Sequence, residues 1–214
     1  MKFYYGADKL VKTPLFGEGN PHNDYGLGFY MTKEIMMAEL WAKKNADGGF
    51  VITYELDTSG LKILRLDDDD EIAILRWITI LVKNRFDFED KTAYGDVIDW
   101  LIRHFDISLD NYDVVIGYRA DDSYFSYSRG FVTGRISLET LTKALKLGRL
   151  GKQIVVVSKE GFSRIKYLNH YETKHDDTYD IFRNKVSLEY HELLRSENRF
   201  ENHFIGDLLK KYGK

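Results

Sequence analysis

The sequence predicts an α+β fold, and three observations carry that prediction. Short apolar segments, alternating at Phe50 to Leu56 and continuous at Gln153 to Val157, read as strands. Longer segments bounded by capping residues, such as Ser137 to Leu147 between its N-cap Ser137 and Gly148, read as helices. Strands and helices interleave without the steady βαβ rhythm of a doubly wound parallel sheet.

Taken in order, Lys2 to Tyr5 is an aromatic-rich strand. Gly6 to Tyr25 contains Pro14 and Pro21, the only prolines, and has no periodicity, so it is a loop. Gly28 to Met31 is a strand, and Thr32 is placed to cap a helix through Asn45 that Gly48-Gly49 ends. In Phe50 to Leu56 the residues Phe50, Ile52, Tyr54 and Leu56 share a face. Leu61 to Leu66 is expected to pair with that strand across the turn Asp57 to Gly60. Asp67 to Glu71 opens a helix to Asn84, with Lys83 and Arg85 at its end, so both termini complement the helix dipole. The acidic run is thereby assigned to capping and solvation. Gly95 to His104 is a helix, Val114 to Ile116 a buried strand, and Phe162 to Leu168 a strand or strand entry. Beyond Asp177 the apolar residues Ile181, Val186, Leu188, Leu193 and Leu194, then Phe204, Ile205, Leu208 and Leu209, turn helical. A domain over residues 1–170 with a helical C-terminal appendage over 171–214 follows.

Composition narrows the function. With 31 basic and 34 acidic residues the formal charge is −3, which gives no global drive toward nucleic acid or an anionic membrane. The absence of cysteine excludes disulfides, thiolate metal sites and thiol nucleophiles. It suits a reducing compartment, and with no signal-like N-terminal segment and no apolar run near ~20 residues a cytoplasmic protein without a membrane partner is expected. The six histidines form no ligand set: His170 and His175 are five apart, no HExxH occurs, and no metal is expected. A Ser/His/Asp site would need a nucleophile elbow, which is lacking.

Glycines mark the best candidate for a ligand site. In Asn23-Asp24-Tyr25-Gly26-Leu27-Gly28-Phe29-Tyr30-Met31-Thr32 two glycines stand just before a strand, where they allow close backbone approach or simply a tight turn. They precede a strand rather than leading from one into a helix, so this is not a dinucleotide fingerprint, and no Walker A loop exists. Asp121 and Asp122 follow a buried strand and read either as site carboxylates or as a solvated helix cap. Arg119 suits a pyrophosphate or an ion pair with a nearby acid. Lys143, Lys146, Arg149 and Lys152 form a modest basic patch near Gln153, either a solvated helix end or a means of steering an anion.

Three anchors in order, Tyr5-Gly6, Gly28-Phe29-Tyr30 with Thr32 and its helix, and Gln153 to Val157, resemble the ADP-ribosyltransferase superfamily of the diphtheria-toxin and poly(ADP-ribose)-polymerase type. Asn23 to Trp41 and Gly117 to Asp122 look like an uncharacterised bacterial branch of it, and the resemblance covers roughly residues 1–170. It implies a mixed β core with surrounding helices and NAD as substrate, without a metal. By position, Tyr30 would stack on nicotinamide and Gly6 would hydrogen-bond its amide, with Gly28 beside them. Tyr5 stands where the family has a ribose-binding histidine, and Gln153 where it has a catalytic glutamate. Losing that carboxylate removes a charge that stabilises a cationic sugar, worth ~3–4 kcal/mol by analogy with one oxyanion-hole donor. Asp121 or Asp122 is the expected substitute, with Asp24 and Glu160 as further candidates, and Arg119 would meet the pyrophosphate.

The function so implied is mono-ADP-ribosylation of a protein or nucleic-acid acceptor, in the manner of a bacterial toxin with an antitoxin or partner protein. NAD hydrolysis, and a catalytically weak NAD- or ADP-ribose-binding module, stand as alternatives, as does a docking protein that uses its C-terminal helices.

Overall fold

A computed structural model describes residues 1–85, 91–120, 122–149 and 151–213. The fold is mixed α+β. Among the described residues seven strands make one sheet: β1 (Lys2–Ala7), β2 (Phe29–Thr32), β3 (Gly49–Leu56), β4 (Ile63–Leu66), β5 (Val114–Tyr118), β6 (Lys152–Val156) and β7 (Ile165–Thr173). Their order is β4-β5-β6-β2-β1-β3-β7. The pairs are antiparallel except β4 with β5.

Leu61 to Leu66 therefore does not pair with Phe50 to Leu56. Both edges of β3 are taken, by β1 and β7, and β4 lies at the opposite end of the sheet. The Lys62 carbonyl accepts from Asp113 N at 2.8 Å, which draws the β4 chain to β5.

The helices are α1 (Ile35–Lys43), α2 (Glu71–Arg85), α3 (Lys91–Phe105), α4 (Asp122–Val132), α5 (Leu138–Ala144), α6 (Lys159–Ser163), α7 (Thr178–Arg195) and α8 (Ile205–Tyr212). Thr32 does not cap α1. It ends β2, and its hydroxyl accepts from Glu34 N at 3.1 Å, turning the chain ahead of a helix whose N-cap is Glu34. Phe162 lies in α6 rather than in a strand, because Ser158 caps that turn by accepting from Gly161 N at 2.9 Å.

The acidic run caps through Asp70, and Asp68, Asp69 and Asp70 are exposed, but the Asp67 side chain is only 9% exposed and is not solvated. Asp70 Oδ2 accepts from Ala73 N at 3.1 Å at the start of α2. Asp67 and Asp69 pair with Lys152 at 2.7 Å and Lys146 at 2.5 Å. Those two lysines of the expected basic patch are thus matched by carboxylates. Asp70→Ala should lower stability by about 1 kcal/mol in urea unfolding, the usual value of an N-cap.

The alternation of the strands separates two cores. Val115 and Val155 face a layer that includes Leu75 and Trp77 of α2, Leu101 of α3 and Phe131 of α4. Ile154, Val156, Phe29, Met31 and Ile52 face the other side, where Leu10, Val11 and Phe162 cover them. Residue 170 falls inside β7, and Val186 of α7 and Ile205 and Leu208 of α8 belong to the same buried cluster as α2 and α3. Trp100 Nε1 donates to the Gly213 carbonyl at 2.6 Å. No described helix is long and apolar enough to cross a membrane.

Candidate functional site

The site begins where two neighbouring strands part. The β1–β2 ladder is confined, among the described residues, to Tyr4 opposite Thr32. Extending that register would set Gly6 opposite Tyr30, but the strands have already separated there. A cleft of about 640 Å³ occupies this gap, within the range of small-molecule sites. It draws residues from both faces of the sheet: Gly6, Tyr30 and Gln153 from one, Tyr5 and Phe29 from the other.

Gly6 is required by packing. A Cβ there would land on the Ala38 carbonyl oxygen, 2.8 Å from its carbon and 3.0 Å from Ala42 N. With no side chain in the way, α1 settles directly on β1 and brings Trp41 to the cleft. Tyr5 packs its ring on Phe29, centroids 4.8 Å apart, and burial raises its hydroxyl pKa.

The loop before β2 is fixed by aromatic hydroxyls. Tyr30 Oη donates to the Gly26 carbonyl at 2.6 Å and accepts from Tyr25 N at 3.1 Å, so its ring has a set orientation. Tyr25 Oη donates to the Tyr118 carbonyl at 2.8 Å, which also accepts from Trp77 Nε1 at 3.0 Å. Gly117 makes room for this: a Cβ there would strike the Tyr25 hydroxyl, with Cζ 3.1 Å away.

This anchoring buries Asp24. Its Oδ1 accepts from Arg85 Nη1 at 2.8 Å, and its Oδ2 accepts from Ala120 N at 2.8 Å and Gln153 Nε2 at 3.2 Å. Arg85, from the end of α2, also donates to the Ala120 carbonyl. Burial pushes the Asp24 carboxyl above the usual range, against the lowering influence of Ala120 N–H and Arg85. A carboxylate can only accept, so it fixes which way the Gln153 amide points. Gln153 is 6% exposed, and its Oε1, a buried acceptor, has no hydrogen-bond partner among the described residues. An unpartnered buried acceptor costs about 1–3 kcal/mol.

Cations gather on the same cleft. Arg119 lies 5.6 Å from the Trp41 ring centroid and Lys44 5.0 Å from it, and Arg119, Lys44 and Arg85 all line the cavity. Stacked guanidinium and ammonium groups beside an aromatic wall suit an anionic ligand with a flat ring.

Of the residues singled out from sequence, Tyr5, Gly6, Gly28, Tyr30, Arg119 and Gln153 line this one cleft. Asp121 and the side chain of Asp122 lie outside the described residues, as does the side chain of Arg149. Among the further carboxylates, Asp24 touches Gln153, whereas Glu160 is exposed and pairs with Arg164 at 2.7 Å. His170 and His175 are engaged by Tyr167 Oη at 2.5 Å and the Lys43 carbonyl at 2.8 Å, and no cluster of metal ligands occurs among the described residues. Lys44 has no signal in the sequence, Trp41 enters there only within the stretch Asn23 to Trp41, and Arg85 only as a helix-end charge. Arg85 is 61 positions from Asp24, and nothing local to it signals the contact.

Neither the curated proteins nor the solved structures contain a match to the chain. Residues 1–167 match a family described as proteins of unknown function (DUF3990), and the chain belongs to that family.

Proposed function

We propose that the protein is a mono-ADP-ribosyltransferase that takes NAD and passes its ADP-ribose to a macromolecular acceptor. The observation that carries this is the meeting of Gly6, Tyr30 and Gln153 in one cleft, with the buried Asp24 carboxylate on the Gln153 amide.

In this reading Tyr30 supplies a fixed ring for the nicotinamide, and the Gly6 backbone meets the carboxamide. Gln153 Oε1 accepts a hydroxyl of the nicotinamide ribose, and Arg119 meets the pyrophosphate. The bond from ribose C1′ to the pyridine nitrogen breaks with its electron pair leaving on neutral nicotinamide. The sugar carries positive charge until the acceptor nucleophile bonds to C1′ and releases its proton to solvent. Asp24, through the polarised amide, places negative charge near that sugar.

The test is incubation with labelled NAD and cell lysate. Nicotinamide release and label transfer are both expected, and both should fall at least about tenfold in Tyr30→Ala, since stacking on an aromatic ring is worth about 1–3 kcal/mol. Release without transfer would make the protein an NAD hydrolase. Absence of NAD binding would sink the whole reading.

The raised Asp24 pKa gives a pH signature. If the charged form acts, nicotinamide release should decline on acidification at a pH above the ordinary carboxylate range, and Asp24→Asn should remove that limb of the profile. The stability relation has the opposite sign. An elevated folded-state pKa means the folded chain holds this proton more tightly, so the associated stability is present at low pH and lost as pH rises through the folded value.

One observation favours a second reading, a module that binds NAD or ADP-ribose with little turnover. Gln153 is neutral, and Arg85 already offsets part of the charge of Asp24. Calorimetric NAD binding without nicotinamide release, together with release created by Gln153→Glu, would select this second reading.

A further inference from the structure

Trp41 and Arg119 line the cleft, and Trp41 is itself braced from outside it. Tyr179, at the start of α7, is not a lining residue, yet its ring centroid stands 6.1 Å from that of Trp41, with the planes at 59°. Lys44 Nζ is shared by the two rings, 5.0 Å from the Trp41 centroid and 5.2 Å from the Tyr179 centroid. The Arg119 guanidinium lies over Trp41 at 5.6 Å. Tilted rings attract one another, and each cation is held by the ring quadrupole beneath it. Tyr179 lies beyond residues 1–167, the part of the chain that matches the family.

Tyr179 is fixed on both sides along the chain. Ahead of it, His175 Nδ1 donates to the Lys43 carbonyl at 2.8 Å, and Lys43 Nζ donates to Asp176 Oδ2 at 2.8 Å. Asp176 Oδ1 then accepts from Thr178 N at 3.0 Å, at the first residue of α7. These bonds tie the start of α7 to the end of α1. Beyond it, Phe182 and Val186 abut Gly148, where a Cβ would come within 2.9 Å and 2.5 Å of them. A shift of Tyr179 away from Trp41 would break one of these contacts.

We propose that Tyr179 is a positioning residue of the cleft, which sets the Trp41 ring and through it aims Arg119 at the phosphates of the ligand. The proposal rests on the reading of the cleft as an NAD site, in which Arg119 meets the pyrophosphate. The bond that breaks is at the nicotinamide ribose, beside Tyr30 and Gln153. The pyrophosphate keeps its charge throughout that step, so a contact made to it favours substrate and transition state alike. Uniform binding of this kind lowers KM without raising kcat.

Nicotinamide release measured against NAD concentration tests it. Tyr179→Leu keeps apolar bulk and removes the ring. Its KM should rise about fivefold, the size of one exposed cation–π contact, with kcat within about twofold of the parent. Tyr179→Phe restores the ring and should bring KM back to within about twofold of the parent. Tyr179 is half-buried, so both variants should fold, as unchanged circular dichroism spectra would verify. Acrylamide quenching reads the same bracing without a ligand. Trp77 and Trp100 are 1% and 2% exposed, so the quencher reaches chiefly Trp41, and it should reach it more readily in Tyr179→Leu than in Tyr179→Phe. An unchanged KM, a fall in kcat alone, a Tyr179→Phe variant as weak as Tyr179→Leu, or identical quenching in the two overturns the proposal and leaves the NAD reading in place. A parent protein that binds no NAD removes that reading, and the proposal falls with it.

Discussion

Asp24→Ala should abolish nicotinamide release and destabilise the protein by about 3–5 kcal/mol, the usual consequence of removing one partner of a buried ion pair. Arg85, Ala120 N–H and the Gln153 amide all donate to this one carboxylate. Without it the Arg85 guanidinium loses this carboxylate as a partner, and the Gln153 side chain loses the contact that sets its direction. Asp24→Asn separates the two effects. An asparagine keeps one acceptor and the approximate shape, so the fold should survive with a smaller loss. Release should still fall, by about 10²–10³-fold if the charge contributes as an oxyanion-hole donor does. Urea unfolding and a nicotinamide assay on the same preparations would distinguish them. Full activity in Asp24→Asn would remove Asp24 from the chemistry and leave it a structural role.

Gly6→Ala should be nearly as damaging, for a purely steric reason. The added methyl would overlap the Ala38 carbonyl and crowd Ala42 N, both of them backbone of α1 that no rotamer change can move. Either α1 lifts from the sheet or β1 bends into the cleft. The expected cost is about 3 kcal/mol, the upper part of the range for overpacked sites. Trp41, Ala38 and Lys44 ride on or beside α1, so the cleft deforms along with the helix. NAD binding should weaken even at temperatures where the variant remains folded. A urea midpoint equal to that of the parent would show that α1 has more freedom than this close packing implies.

What the sequence disclosed followed from local physics. Strand periodicity located Phe50 to Leu56 and Gln153 to Val157, and Ser137 marked the start of α5 through its own hydrogen bond to Thr140 N. Pairing was not local, and there the reading failed. A short turn suggested a hairpin between β3 and β4, yet β3 had partners already and β4 joined β5 in parallel, 51 residues away from Lys62 to Asp113 in the chain. The site was legible where a glycine or a tyrosine carried the signal. Arg85 read only as a helix-end charge, because its role depends on a loop brought to it by Tyr25 and Asn84. Asp24 stood in view among other carboxylates, and only folding could single it out.

The place of β2 in the sheet has a consequence for biosynthesis. One of its neighbours, β1, precedes it in the chain, and the other, β6, begins only at Lys152. A ribosome that stalls in between yields a chain with an unsatisfied sheet edge and without Gln153. Such fragments would expose that edge to other chains, and on the proposed function NAD capture waits until β6 has been made.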